Sequence, residues 1–376
     1  MNFPFKLVSI ILLGFAVSCI AMEEGTGEQK QQPIKPIPSL RYKVAYAIAK
    51  GIVEKKRPLE DIEQLPEDLH YLATLLIDNN LDLNQAFHNA LLDVDLSSSS
   101  DDIKNLIEAG ANINAPMDSE GNTPLLYAIQ INLTWLVELL LEYGADSNLS
   151  NIYEESPLMT TITYDSDFYI GKKLIENNAD VNHVDIDGSN ALFLAAYSNE
   201  NMVKLLLDHG ANANHANKEG TTVLMNAAHT GNENIVKLLL NNGADVNKID
   251  NKGSSALSYA VNYGNENIVK LLIDHGANID QTNNDGATAL MYAVNYGYYD
   301  IIKLLLERGA NINFQNNEGA TALMFATVIG NLDVIKLLLE FKANAKIVNS
   351  SGNTALDLAQ INNKQDIVKF LESIMV

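Results

Sequence analysis

Residues 284–316 read NDGATALMYAVNYGYYDIIKLLLERGANINFQN, and this stretch decides the fold. A polar turn around Gly286 leads into a short run of small and apolar residues, Ala289, Leu290, Ala293 and Val294. Gly297 interrupts that run, after which Ile301, Ile302, Leu304, Leu305 and Leu306 follow at helical spacing up to Gly309. Apolar residues three and four apart share one helix face, and the two glycines suit the left-handed backbone positions at which helices stop. The stretch therefore spells helix, turn, helix. Neither helix is able to bury its apolar face alone, so copies must stack.

Copies are present. The closing phrase GANIN at 309–313 has counterparts at 110–114 (GANIN), 144–148 (GADSN), 178–182 (NADVN), 210–214 (GANAN), 243–247 (GADVN), 276–280 (GANID) and 342–346 (KANAK), with an earlier trace, LDLN, at 81–84. The copies end at 84, 114, 148, 182, 214, 247, 280, 313 and 346, so the step settles at 33 residues from Asn214 onward.

This arrangement resembles the ankyrin repeat over roughly residues 84–376: a turn with Gly, a short first helix in the T-P-L pattern, a Gly, a leucine-rich second helix and a G-A-D-V-N phrase. The resemblance implies an all-α repeat solenoid, curved and right-handed, whose helix pairs are joined by β-hairpin-like fingers. The family's histidine after T-P-L is absent. Its position holds Leu126, Met159, Phe193, Met225, Ser258, Met291, Met324 and Asp357, so stacking is expected to rest more on apolar contact. In the copy at 151–182, Glu154 replaces the turn glycine, and Thr161 and Ile162 replace paired alanines, which predicts a looser or bent joint. The copy at 85–114 lacks a turn and carries LSSSSDD, in which Ser100 or Asp101 is expected to cap the next helix.

Outside the array, residues 7–17 form an apolar run after Lys6 and before Ser18, Cys19 and Ala21. It is too short to span a bilayer and has the flanks of a secretory signal peptide cleaved after Ala21; the alternative is an N-terminal helix packed on the domain. Cys19, the single cysteine, loosely resembles a bacterial lipoprotein site, which keeps a lipid anchor open. Residues 22–39 are polar, with Pro33, Pro36 and Pro38, and read as a disordered linker.

Residues 40–83 read as two helices, 41–55 and 65–79, forming a degenerate repeat or cap; the start of the second, LPEDL at 65–69, also resembles an F-box, a motif that recruits ubiquitin ligase machinery. The repeat units then fall at about 84–117, 118–150, 151–183, 184–216, 217–249, 250–282, 283–315 and 316–348, with 349–376 as closing cap.

Composition narrows function further. With 47 acidic against 25 basic residues the chain carries a formal charge of −22, which argues against nucleic acid and anionic lipid as partners. The histidines recur by repeat geometry, about one repeat apart, too far for shared metal coordination. The Asp-Asn-Gly clusters at 250–253, 283–286 and 316–319 lack the spaced carboxylates and closing Glu of a calcium loop and read as turns. No phosphate-binding loop or nucleophile elbow is present, so no catalysis and no cofactor is expected.

What remains is a surface. The resemblance implies a concave face built from finger tips and from the residues just before the inter-helix glycine. Mapped by position, the binding candidates are Tyr197, His229, Asn262, Tyr263, Asn295 and Tyr296 on the helices and Lys218, Lys252 and Asp285 on the tips. Tyr197, Tyr263 and Tyr296 are expected to form a ladder on one face, with His229 between them, since tyrosine supplies large contact area at low entropic cost; the alternative is that they only cover adjacent helix.

The expected function is a non-catalytic scaffold binding a partner protein, with family habit pointing to an exported bacterial effector that meets a host protein. The alternatives are an F-box-like ubiquitination adaptor and a periplasmic or lipid-anchored scaffold. The resemblance also marks the repeated asparagine, as at Asn247 and Asn313, for asparaginyl hydroxylation.

Overall fold

The computed structural model describes residues 45, 49, 50, 67–78, 82–94 and 100–375. The expected signal peptide, Cys19, the expected linker, and the Leu65 and Pro66 of the segment resembling an F-box lie outside the described residues, as does most of the first helix expected in 40–83, of which Ala45, Ala49 and Lys50 are helical. Among the described residues there are nineteen helices and no strand, in two compact units, Met1–Ile152 and Tyr153–Val376.

In the first unit α1 (Glu67–Asp78) packs on α2 (Leu83–Leu92) and α3 (Ser100–Ala109), and α4 (Pro124–Gln130) pairs with α5 (Thr134–Glu142). Leu72, Leu76, Phe87, Leu91, Ile103 and Leu106 are buried between the first three helices. Asp82 caps α2, its Oδ1 accepting from the backbone N–H groups of Asn84 (3.0 Å) and Gln85 (3.1 Å). Neither Ser100 nor Asp101 caps α3. The helix already includes both, which places Asp101 and Asp102 in its first turn, where the exposed N–H groups favour negative charge.

The second unit stacks seven helix pairs. The inner helices are α6 (Pro157–Thr163), α8 (Ala191–Ala195), α10 (Val223–Thr230), α12 (Ala256–Asn262), α14 (Ala289–Tyr296), α16 (Ala322–Ile329) and α18 (Ala355–Ile361). The outer helices are α7 (Phe168–Glu176), α9 (Glu200–Asp208), α11 (Glu233–Asn241), α13 (Glu266–Asp274), α15 (Tyr299–Glu307), α17 (Leu332–Glu340) and α19 (Gln365–Met375). Inner helices start where they do because the preceding side chain, Ser156, Asn190, Thr222, Ser255, Thr288, Thr321 or Thr354, accepts from the N–H three residues on. Each such cap stabilises its helix by about 1 kcal/mol.

Small side chains at Ala195, Ala227, Ala260, Ala293 and Ala326 are buried and let neighbouring inner helices approach, while Leu206, Leu239, Leu272, Leu305 and Leu338 of the outer helices are fully buried. Burying each leucine contributes about 1.5–3 kcal/mol.

Polar ladders run alongside this core. The asparagine, or in one case the aspartate, that ends seven of these phrases accepts, through Oδ1, from a backbone N–H in the next repeat: Asn84 from Asn112, Asn114 from Asp146, Asn182 from Asn212, Asn214 from Asp245, Asn247 from Asn278, Asp280 from Asn311 and Asn313 from Asn344, at 2.7–2.9 Å. Asn182, Asn214 and Asn247 also donate Nδ2–H to the next repeat's Gly210, Gly243 and Gly276 carbonyls. Asn226 donates to the Phe193 carbonyl at 2.9 Å, and Asn265 to that of Ala228 at 2.8 Å. Met225, Met291 and Met324 at the missing-histidine position are buried, in line with apolar stacking there. The repeats are nonetheless stitched by hydrogen bonds, supplied by asparagine in place of histidine.

The fingers form a second ladder. Asn251, Asn284, Asn317 and Ser350 donate backbone N–H to the carbonyls of Glu219, Lys252, Asp285 and Glu318, one finger back. The Nδ2 groups of Asn251, Asn284 and Asn317 donate to Lys218, Asn251 and Asn284. Within a finger, the Oδ1 of Asp250, Asn283 or Asn316 accepts from the N–H groups two and four residues on. Isolated antiparallel bridges join Val184 to Asn190, Ala216 to Thr222 and Ile249 to Ser255, so the fingers are turns closed by single bridges rather than hairpins of paired strands.

The irregular copy carries its own compensation. Thr160 and Thr161 are buried, and their hydroxyls donate to the carbonyls of Ser156 (3.0 Å) and Leu158 (2.7 Å). Gly171 in α7 stands where later repeats have Val203, Val236, Val269 and Ile302, and a Cβ there would lie 2.5 Å from Met202 Cε and 3.6 Å from Thr161 Oγ1. The volume added at Thr161 and Met202 is removed at Gly171, which accommodates both side chains at the seam with the following repeat. Glu154 adopts φ +57, the conformation its glycine counterparts adopt.

Two outcomes are expected in urea denaturation followed by circular dichroism. Gly171→Val should destabilise the protein by about 1–3 kcal/mol through overpacking, and less in a Met202→Ala background than the two single changes would sum to. Lys342 occupies the left-handed helix-end position at φ +66, where one other repeat has Asn178 and the rest have glycine. Lys342→Gly should stabilise by about 0.5–1 kcal/mol, the relief of backbone strain exceeding the entropy glycine adds to the unfolded chain.

Candidate functional site

The candidate residues all lie in the second unit, at the ends of inner helices and on finger tips. Tyr197 follows α8 and is 52% exposed, Tyr263 follows α12 at 48% and Tyr296 ends α14 at 48%. Each projects a half-exposed ring, but the three tyrosines do not stack on one another. Tyr263 stacks on His229 of the preceding repeat, ring centres 3.8 Å apart and planes 21° off parallel, while Tyr296 stacks on Tyr298 of its own repeat at 5.7 Å. Tyr197 sits one register position before the other two, level with His229, Asn262, Asn295 and Val328. Asn262 is half-buried at the end of α12 and Asn295 exposed in α14.

The tips differ in how free they are. Lys218 turns its ammonium back onto the Ile186 carbonyl of the preceding finger, so its charge is engaged within the fold. Lys252 and Asp285 are exposed at equivalent positions of successive fingers. The histidines are engaged too: His183 and His215 contact the carbonyls of Glu154 (2.8 Å) and Gly188 (2.6 Å) one finger back, and the Nδ1 atoms of His209 and His275 contact the carbonyls of Leu205 and Leu271 at their own helix ends, both at 2.8 Å. Among the described residues no cluster of three or more His, Cys, Asp or Glu is arranged to hold a metal ion.

Sequence reasoning missed a row that faces the fingers. Tyr259, Tyr292 and Phe325 occupy one register position in consecutive repeats, immediately after the missing-histidine site, and all three are half-buried. The Tyr259 hydroxyl donates to Asp250 Oδ2 at 3.0 Å, whereas Asn283 Nδ2, at the position equivalent to Asp250, donates to the Tyr292 oxygen at 2.8 Å. Burial first, then the nearby Asp285 carboxylate, raises the Tyr292 pKa above the ordinary phenol value. The 33-residue step was the signal that could have found this row. Val328 and Ile329, both 43% exposed, and Ile361 at 62% extend the exposed inner-helix ends toward the C-terminus as an apolar strip.

Fold and site together define a stacked helical-repeat protein whose exposed chemistry is a surface of rings, amides and carboxylates. A family model for ankyrin repeats (3 copies) matches residues 67–151, 158–250, 242–316 and 308–373, and the chain belongs to the ankyrin-repeat family. It is 47% identical over 60 residues to an ankyrin repeat protein of Fowlpox virus (strain NVSL), covering 16% of this chain and 22% of that one. It is 29% identical over 154 residues to ankyrin repeat and SOCS box protein 6 of Mus musculus, covering 40% and 37%. Against an ankyrin repeat protein of Acanthamoeba polyphaga mimivirus it is 37% identical over 98 residues, covering 25% and 60%. The chain thus spans less than two thirds of each of these relatives. Ankyrin repeats mark it as a scaffold for protein–protein interaction, and no helix among the described residues is long and apolar enough to cross a membrane.

Asp285→Asn should bring the Tyr292 ionisation down toward the ordinary phenol value, because removing a neighbouring negative charge makes the phenolate easier to form. NMR titration of the tyrosine rings reads this directly; an unmoved Tyr292 would mean that the Asp285 carboxylate does not act on it.

Proposed function

We propose that the chain binds a partner protein, without catalysis, through the inner face of its second unit. The observation that carries this reading is the consecutive row of half-exposed groups at inner-helix ends: Tyr263 on His229, then Tyr296, Val328, Ile329 and Ile361. The ladders hold the backbone beneath them in one register, so little conformational freedom is lost when a partner docks. Large aromatic side chains on such a frame are the groups that tend to dominate interface energies. Mixed tips beside them, Lys252, Asp285 and Glu318, supply a polar rim.

The composition of residues 1–21 supports an exported protein, and family habit then supports a partner in a host cell. Mass spectrometry of the mature protein tests export: a chain starting at Met22 supports it, and a chain retaining residues 1–21 excludes it.

Affinity capture from host-cell lysate with residues 22–376, beside a Tyr197→Ala/Tyr263→Ala/Tyr296→Ala variant of unchanged circular dichroism, tests the face itself. The expected outcome is a partner retained by the parent protein and lost by the folded variant. Equal capture by both would move the site off this face.

A further inference from the structure

Neighbouring repeats of the second unit alternate a finger-tip position with an inner-helix position that faces the fingers. Reading the tips in order gives Asp187, Glu219, Lys252, Asp285, Glu318 and Ser351. Reading the helix position gives Leu194, Asn226, Tyr259, Tyr292, Phe325 and Leu358. At one step only do two consecutive carboxylate tips coincide with two consecutive aromatic side chains: Asp285 and Glu318 with Tyr292 and Phe325. One step earlier the ammonium of Lys252 breaks the pattern, and at Asp187 and Glu219 the aromatic groups are missing.

At that step a cavity of about 450 Å3 opens, lined among others by Asp285, Glu318, Met291, Tyr292, Asn295 and Phe325. The two carboxylates are exposed, and among the described residues neither forms an ion pair. Asp285 receives one long hydrogen bond, 3.4 Å, from Asn283 Nδ2. Acceptors at the rim, aromatic and thioether groups within and a chain charge of −22 all favour a cation that is flat and weakly hydrated. Anions are disfavoured by the same charges.

We propose that this cavity is an arginine subsite, receiving the side chain of an arginine carried by an extended segment of the partner protein. The guanidinium stacks against Tyr292 or Phe325 while its N–H fork reaches Asp285 and Glu318, a geometry lysine's compact ammonium does not match. Residues flanking that arginine lie along Tyr296, which follows Asn295, and along Val328 and Ile329, the counterparts of Asn295 and Tyr296 on the next helix. The assignment rests on the inner face being the partner-binding face and adds the chemistry of what it recognises.

The test uses the protein of residues 22–376 with 13C-methyl methionine, the Met291 signal being assigned from Met291→Leu. Three probes are titrated: acetyl-Leu-Arg-Leu-amide, the same peptide with citrulline, which keeps the shape and loses the charge, and agmatine. The expected result is a saturable Met291 shift with the arginine peptide, weakened roughly tenfold or more by citrulline and by Asp285→Asn/Glu318→Gln, as befits charge-assisted hydrogen bonds. Both carboxylates are exposed, so the other methionine signals should stay in place and report an intact fold. Equal binding of the citrulline peptide, or an unchanged shift in the double variant, overturns the proposal. Agmatine binding as tightly as the peptide also overturns it, in favour of a free small cation. If partner capture depends on the tyrosines while Met291 ignores the arginine peptide, the interaction face stands and the arginine subsite falls.

Discussion

The second unit depends on one recurring contact, the asparagine carboxamide that reaches from the end of one repeat to the backbone of the next. Its oxygen accepts a backbone N–H of the next repeat, and at Asn182, Asn214 and Asn247 its nitrogen donates to a glycine carbonyl. Apolar contact between helices is tolerant of small slips, because dispersion and hydrophobic burial have little direction. A two-pronged hydrogen bond is not. The leucine and alanine seams thus supply most of the free energy, while the asparagines set the register in which it is gained. Asp280 keeps the accepting half of the contact, which is the half that satisfies the neighbouring backbone.

Much of this was legible in the sequence because the period was. Gly297 and Gly309 sit at φ +73 and +90, as their places after apolar runs required, and the phrase at 81–84 proved to hold the same bond at Asn84 as later copies. The asparagines themselves were visible but their role was not, since a polar residue in a turn has many uses. Loss of the family's histidine pointed to apolar stacking. That inference failed to anticipate that Asn226 and Asn265, at other register positions, would hydrogen-bond across the same seam. Gly171 was illegible for a different reason: its cause is the volume of Met202, a contact between repeats that no single copy displays. Tyr263 and Tyr296 share a register position while Tyr197 comes one residue earlier, and positions one residue apart on a helix point about 100° apart.

The bonds that join the fingers and the side chains exposed at their tips are carried by different atoms here. Finger backbones and the amides of Asn251, Asn284 and Asn317 face along the stack, whereas Lys252, Asp285 and Glu318 are exposed at the tips. A tip side chain is therefore able to change sign without disturbing the bonds beneath it. The pair of Tyr259 with Asp250 and Tyr292 with Asn283 shows the same freedom one layer down, where donor and acceptor exchange roles while the geometry is kept.

Lys346 closes the series of phrases. Its predecessors at this position, from Asn182 to Asn313, offer an oxygen to the repeat that follows; Lys346 is exposed and offers only an ammonium. Lys346 thus ends the run of accepting side chains, and the helix pair α18 and α19 that follows is held to the stack by its apolar seam and by the Glu318 carbonyl, which accepts the N–H of Ser350.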